Sequence, residues 1–104
     1  MTTLADVQKE VNRQIQRDYG NRPYDEVMMM LHFGLAEEAG EVAGLVKRVL
    51  RDFPKDKART ARENFIDEMG DVLWYLAACC ISHGTTLDEL WIHNIDKLKR
   101  RYGE

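Results

Sequence analysis

From Val72 to Ile81 the chain reads VLWYLAACCI, ten consecutive apolar residues with no polar face. The run is too short to cross a membrane, which takes about 18–20 apolar residues. Read as the second half of a helix, it has to be covered on nearly every side. A helix on the outside of a four-helix monomer keeps a polar face, so a partner subunit is expected to cover what the chain leaves bare.

Helical periodicity recurs in three further segments, and none shows the alternation of an amphipathic strand. The expected fold is therefore all-α, a four-helix bundle-like protomer that is oligomeric, either a dimer or a dimer of dimers. The first helix should run from about Leu4 to Tyr19, with Leu4, Val7, Val11 and Ile15 on one face and Thr3 as its N-cap. The second should run from near Asp25 to about Arg51, with the stripe Leu31, Leu35, Val42, Leu45, Val46 and Val49. Gly34, Gly40 and Gly44 each cost about 1 kcal/mol relative to alanine in a helix, which reads as close helix approach. DFPKDKA, residues 52–58, is a loop by its proline and charges. TARE then opens the third helix, with Thr60 as N-cap and Glu63 reaching back, and that helix ends near Gly84. TLDE repeats the device at Thr86 and Glu89 for a fourth helix, which should carry Leu87, Trp91, Leu98 and Tyr102 inward.

At 104 residues the chain reads as one domain, residues 1–104. A net charge of -3 argues against binding a nucleic-acid polymer, which needs a broad positive field. The start MTTLADVQKE lacks the basic flank and apolar centre of a signal peptide, so the expected address is the cytoplasm, with no membrane partner. Cys79 and Cys80 are adjacent and point about 100° apart on a helix, which prevents a mutual disulfide and leaves two inert core thiols.

The chemistry lies in the acidic residues. On a wheel of about 100° per residue, Glu38 falls between Leu35 and Val42 on the apolar stripe of the second helix, with Glu41 on its flank. An unpaired carboxylate there costs several kcal/mol or takes up a proton, so it needs a cation, a basic partner or a wet cleft. The third helix repeats the pattern in DEMGDVLWY, where Glu68 borders the stripe Phe65, Met69, Val72 and Leu76, and Asp71 sits one turn further on. If the two helices pack antiparallel, four carboxylates converge, and hard divalent cations hold such charge best, Mg2+ or in its place Mn2+. The competing reading is a solvated acidic face; the duplication and the inward direction of Glu38 and Glu68 weigh against it, and for Glu37 the two readings are even. Glu63 and Asp67 are left to surface and capping roles.

A di-iron centre would bring histidine three residues after glutamate on two helices, and no such pairing occurs. His32, His83 and His93 are scattered and read as packed or surface residues. A carboxylate magnesium site leaves room for water and phosphate. Asn94, Lys97 and Arg101 form one stripe of the fourth helix, with Asn94 between Trp91 and Leu98, so the stripe is expected to face inward, and such a row facing a cleft suits a polyphosphate. The alternative for that row is a basic last turn complementing the helix dipole. Of the basic residues from Lys47 to Arg62, Arg48 lies two turns from Glu41 on nearly the same face and joins the candidate substrate contacts. Tyr75, one turn after Asp71, can line the cleft and stack on a base or sugar, whereas Trp74 points into core or interface.

The pattern EEAGE at 37–41 followed by EMGD at 68–71 resembles the EExxE and ExxD signature of MazG-like nucleoside triphosphate pyrophosphohydrolases, which belong with the dimeric dUTPases in the all-α NTP pyrophosphatase superfamily. LHFGLAEEAGEVAGLVKR resembles the family's second helix, and NIDKLKRRY at 94–102 resembles its closing Asn, Lys and Arg pattern. The likeness covers nearly the whole chain and is weakest before about residue 25 and from 53 to 62. It implies a tight dimer, or a tetramer of two dimers, with the cleft completed at the interface. It also implies cleavage of a nucleoside triphosphate between the α and β phosphates. By the same likeness Glu38, Glu41, Glu68 and Asp71 hold magnesium, and Glu37 assists or orients the water. Asn94, Lys97 and Arg101 meet the phosphates and Tyr75 the sugar or base. A single domain, unlike the larger members, favours nucleotide-pool cleaning. The readings that compete with an enzyme are a non-catalytic nucleotide- or protein-binding module with a structural cation site, and a purely structural dimerisation bundle.

Overall fold

The computed structural model describes residues 1–52 and 58–103, with the backbone alone for 52 and 58–61. The described residues form four helices and no strand: α1 Leu4–Tyr19, α2 Tyr24–Asp52, α3 Ala58–Ser82 and α4 Leu87–Tyr102. Helix ends follow the capping chemistry in the sequence. Thr3 Oγ1 accepts from the Asp6 N–H at 3.1 Å, and the Asp6 carboxylate accepts from the Thr3 N–H at 3.0 Å, a reciprocal box at the start of α1. Thr86 caps α4 by accepting from the Glu89 N–H. The Glu89 carboxylate does not reach back to Thr86 as expected; it accepts from Thr85 Oγ1 at 2.7 Å. α3 begins at Ala58, ahead of Thr60. The loop at 53–57, with Lys55 and Lys57, and the side chains of Arg59 and of the expected Thr60 cap lie outside the described residues.

α3 closes where Gly84 adopts φ 67, which its missing Cβ permits. The Thr85 N–H donates to Cys80 O and the Gly84 N–H to Ile81 O, so two carbonyls that would end unpaired are satisfied. Gln8 of α1 reaches the same turn, donating to Thr85 O at 3.0 Å and accepting from the Leu87 N–H at 3.2 Å, which ties α1 to the start of α4.

The core forms around the second half of α3. Ala77, Ala78, Cys79 and Cys80 are buried against Val11 and Ile15 of α1, Leu31 of α2 and Leu87 of α4. The chain itself therefore buries the run from Ala77 to Cys80 and leaves Leu73 of the run exposed, while most of the bare apolar surface lies outside the run. Phe65, Ile66, Met69 and Leu73 are exposed on α3, as are Phe33, Val46 and Leu50 on α2. Leu4, Val46, Phe65 and Met69 were expected inward and are exposed. Trp91 and Tyr102 also depart from expectation, at 60% and 68% exposure, since α4 docks mainly through its first turn at Leu87.

α2 and α3 share the most extensive packing in the chain and run antiparallel. The Tyr24 hydroxyl donates to Ser82 O at one end, and Gly34 meets Tyr75 further along. A Cβ on Gly34 would sit 2.1 Å from Tyr75 Cε1, so this glycine is what lets the ring lie across α2. Among the described residues Gly40 has nothing within 4 Å of such a Cβ and Gly44 meets only Arg48, so there, of the three α2 glycines, Gly34 alone marks close helix approach. Gly34→Ala should destabilise the chain by about 1–3 kcal/mol through overpacking, while Gly40→Ala should leave it unchanged or raise stability by up to about 1 kcal/mol. Urea unfolding of both variants checks this; equal losses would contradict it.

Candidate metal centre

Beyond Gly34 the α2–α3 seam turns acidic. Glu38 supplies an oxygen to each of two sets whose ligand atoms all lie within 4.8 Å of one another, Glu37 with Glu38 and Glu41, and Glu38 with Glu68 and Asp71. The i,i+3 spacing on α2 and again on α3 sets two carboxylates on adjacent turns of each helix, and antiparallel packing turns the two pairs toward each other. Glu38 and Glu68 are half-buried at the seam, while Glu37, Glu41 and Asp71 are exposed around it. Glu38 Oε2 and Glu68 Oε2 are buried and have no hydrogen-bond partner among the described residues.

That arrangement raises the proton affinity of both seam glutamates. For Glu38 the chief cause is burial, followed by the negative charges of Glu41, Asp71, Glu68 and Glu37. For Glu68 the chief cause is a hydrogen bond with Glu41, then burial and the charges of Glu41 and Asp71; the Arg48 guanidinium pulls it the other way. Arg48 is exposed and folds back over Gly44, where a Cβ would meet its Nη1 at 3.3 Å. A pair of unpartnered buried carboxylate oxygens in an all-oxygen donor set fits a hard divalent cation, which would replace the missing hydrogen bonds and the shared proton.

Tyr75 borders the carboxylates. Its hydroxyl is held above the ordinary phenol value by burial first, then by the nearby Tyr19, Glu38, Glu37 and Asp71. Trp74 packs edge to face on it with ring centroids 5.0 Å apart, and its Nε1–H donates to Gln14 Oε1 at 2.8 Å, which orients the aromatic pair from α1. Sequence reasoning missed Gln14 and the specific part of Gly34, because neither contact has a periodic signature.

The expected phosphate row does not join this cluster within one chain. α4 packs on α1 and α3; Asn94 is half-buried, and Lys97 and Arg101 are exposed. Asn94 and Lys97 line a separate cavity of ≈ 350 Å³ with Glu89, His93 and Arg100. Among the described residues neither Lys97 nor Arg101 forms an ion pair.

The seam sets a pH dependence for the metal-free chain. A carboxyl whose folded pKa exceeds its unfolded value contributes stability that is full below the unfolded value and lost as pH rises through the folded one. In EDTA the chain should therefore lose part of its stability as pH is raised from about 4.5 toward neutrality. Thermal melts across that window should show the slope flattened by Mg2+ and reduced in Glu38→Gln/Glu68→Gln; an unchanged slope in that variant would contradict the assignment.

Comparison with known proteins identifies the family. The MazG nucleotide pyrophosphohydrolase domain matches residues 28–104, which contain all the carboxylates of the seam. The chain is similar to the Gene 37 protein of Mycobacterium phage L5, 34% identical over 76 residues, spanning 73% of this chain and 67% of that one. It is also similar to the uncharacterized protein YvdC of Bacillus subtilis (strain 168), 31% identical over 105 residues and 95% of each chain. No solved structure matches significantly. A domain match that spans α4, most of α2 and all of α3 places the chain in the MazG nucleotide pyrophosphohydrolase family.

Proposed function

We propose that the chain is a Mg2+-dependent nucleoside triphosphate pyrophosphohydrolase that hydrolyses the α–β anhydride to the monophosphate and pyrophosphate, in a nucleotide-pool cleaning role. The observation that carries the reading is the pair of buried, unpartnered oxygens on Glu38 and Glu68, converging with Asp71 from two antiparallel helices. Family membership supports phosphate anhydride chemistry. Glu38, Glu41, Glu68 and Asp71 would hold Mg2+, with Mn2+ as a substitute. When bound, the cation supplies positive charge against the phosphate oxygens. Glu37, exposed beside Glu38, accepts a proton from the attacking water and orients it; one water is consumed and pyrophosphate leaves with the electrons of the broken P–O bond. Tyr75, half-buried beside the carboxylates, would pack on the sugar or base.

Asn94, Lys97 and Arg101 reach the phosphates in this reading only from a second copy of the chain. Surface area supports such a partner. The chain exposes 7999 Å², whereas a compact monomer of its mass exposes about 6000 Å². Its Cα radius of gyration is 16.7 Å, against about 13 Å for a compact domain of this length. An excess on the order of 2000 Å² per chain is ample for a stable symmetric interface, and exposed Phe33, Leu50, Phe65 and Ile66 supply its apolar part.

A nucleotide panel assayed for pyrophosphate and monophosphate with Mg2+ should show turnover that falls by at least about 100-fold in Glu38→Gln and in Glu68→Gln. Turnover in either variant at the wild-type rate would refute the site. Stabilisation by Mg2+ with no product from any nucleotide would instead favour the non-catalytic binding module. Mixing inactive Glu38→Gln with inactive Lys97→Ala should restore part of the activity if the phosphate row works across subunits, and a monomeric mass at micromolar concentration would exclude that arrangement.

A further inference from the structure

His32 on α2 and His83, just past the end of α3, meet edge to face with ring centroids 5.0 Å apart and an interplanar angle of 85°. Their Nε2 atoms are 3.0 Å apart, and His32 Nδ1 is 2.7 Å from Met28 O. A carbonyl oxygen only accepts, so the His32 proton sits on Nδ1 and Nε2 presents a bare lone pair toward His83. In the neutral pair a single proton on His83 Nε2 bridges the two nitrogens.

A metal ion can take the place of that proton. Zinc–nitrogen bonds of about 2.0–2.1 Å at a tetrahedral angle set two nitrogens about 3.3 Å apart, a few tenths of an ångström from the spacing found. The Nδ1–H bond to the Met28 carbonyl is the backing that fixes tautomer and ring direction in imidazole ligands. His83 is exposed and His32 half-buried, so an ion has an approach and water can fill its other positions. The C-terminal carbonyls of α3 add favourable potential for a cation. Two imidazoles select zinc, nickel or copper over magnesium, and neither histidine belongs to the carboxylate sets of the seam.

We propose that His32 and His83 form a two-imidazole site for a divalent cation of the zinc, nickel or copper class, completed by water, which pins the start of α2 to the end of α3. The site stands apart from the carboxylate centre, since His32 precedes Glu38 by about 9 Å along the α2 axis. It does not rest on the proposed hydrolysis, and its test involves no nucleotide.

The full chain, held in excess Mg2+ to occupy the carboxylates, is titrated with Zn2+ by calorimetry, and with Cu2+ by electron paramagnetic resonance. The expected result is one zinc per chain, a raised melting temperature and a copper spectrum with nitrogen splitting. His83→Gln and His32→Gln should each weaken zinc binding by at least about tenfold, with circular dichroism unchanged, while Glu38→Gln leaves it intact. Zinc affinity unaltered by either histidine variant, a copper spectrum without nitrogen splitting, or no zinc binding in excess Mg2+ would overturn the proposal, the last showing a pair that shares only a proton.

Discussion

Mutual repulsion among the carboxylates gathered where α2 crosses α3 is the constraint on which the rest of the structure depends. Glu38 alone faces Glu37, Glu41, Glu68 and Asp71, and its own burial adds to the cost of its charge. Each helix in isolation tolerates its acidic pair, because exposed like charges at i,i+3 cost only a few tenths of a kcal/mol. The cost rises when packing removes water, and it raises the proton affinity of Glu38 and Glu68. Packing that holds such groups together costs stability, a cost that the proposed cation would offset.

The packing on either side of the seam explains how that strain is held. Buried Ala77 to Cys80 anchor α3 against three other helices, and the Gly84 turn with Gln8 fixes the end of α3 to α1 and α4. Gly34 accepts the Tyr75 ring, which brings the two backbones close on the side of the carboxylates facing the core. The anchoring therefore lies at one end of the α2–α3 hairpin and the acidic seam toward the other. In the proposed reading substrate and cation meet the less buried half, where Phe65, Ile66 and Met69 are exposed.

Much of this was legible in the sequence where local chemistry decides it. Thr3, Thr86 and Gly84 carry their caps through contacts a few residues apart, so helix limits could be read from residue type and spacing. The angular position of Glu38 and Glu68 likewise separated the half-buried pair from its exposed neighbours. Apolar periodicity was less informative for Trp91, Tyr102, Phe65 and Met69. It records that a face is to be covered, and not whether the cover comes from the same chain. The His32–His83 contact spans 51 positions and joins residues with no shared pattern, so only the folded hairpin reveals it. Asn94, Lys97 and Arg101 share one helix as their spacing implied, but Lys97 and Arg101 face outward rather than inward, because which side of α4 is covered depends on where it docks, and spacing along the chain does not encode that.

The central claim is that the oxygens of Glu38, Glu68 and Asp71 form a divalent cation site. Anomalous diffraction at the manganese edge, from crystals grown with Mn2+, tests it most directly. The expected result is a strong peak between α2 and α3 within coordination distance of these carboxylates, about 2.0–2.3 Å. A seam without such a peak, or manganese bound only elsewhere on the chain, would contradict it.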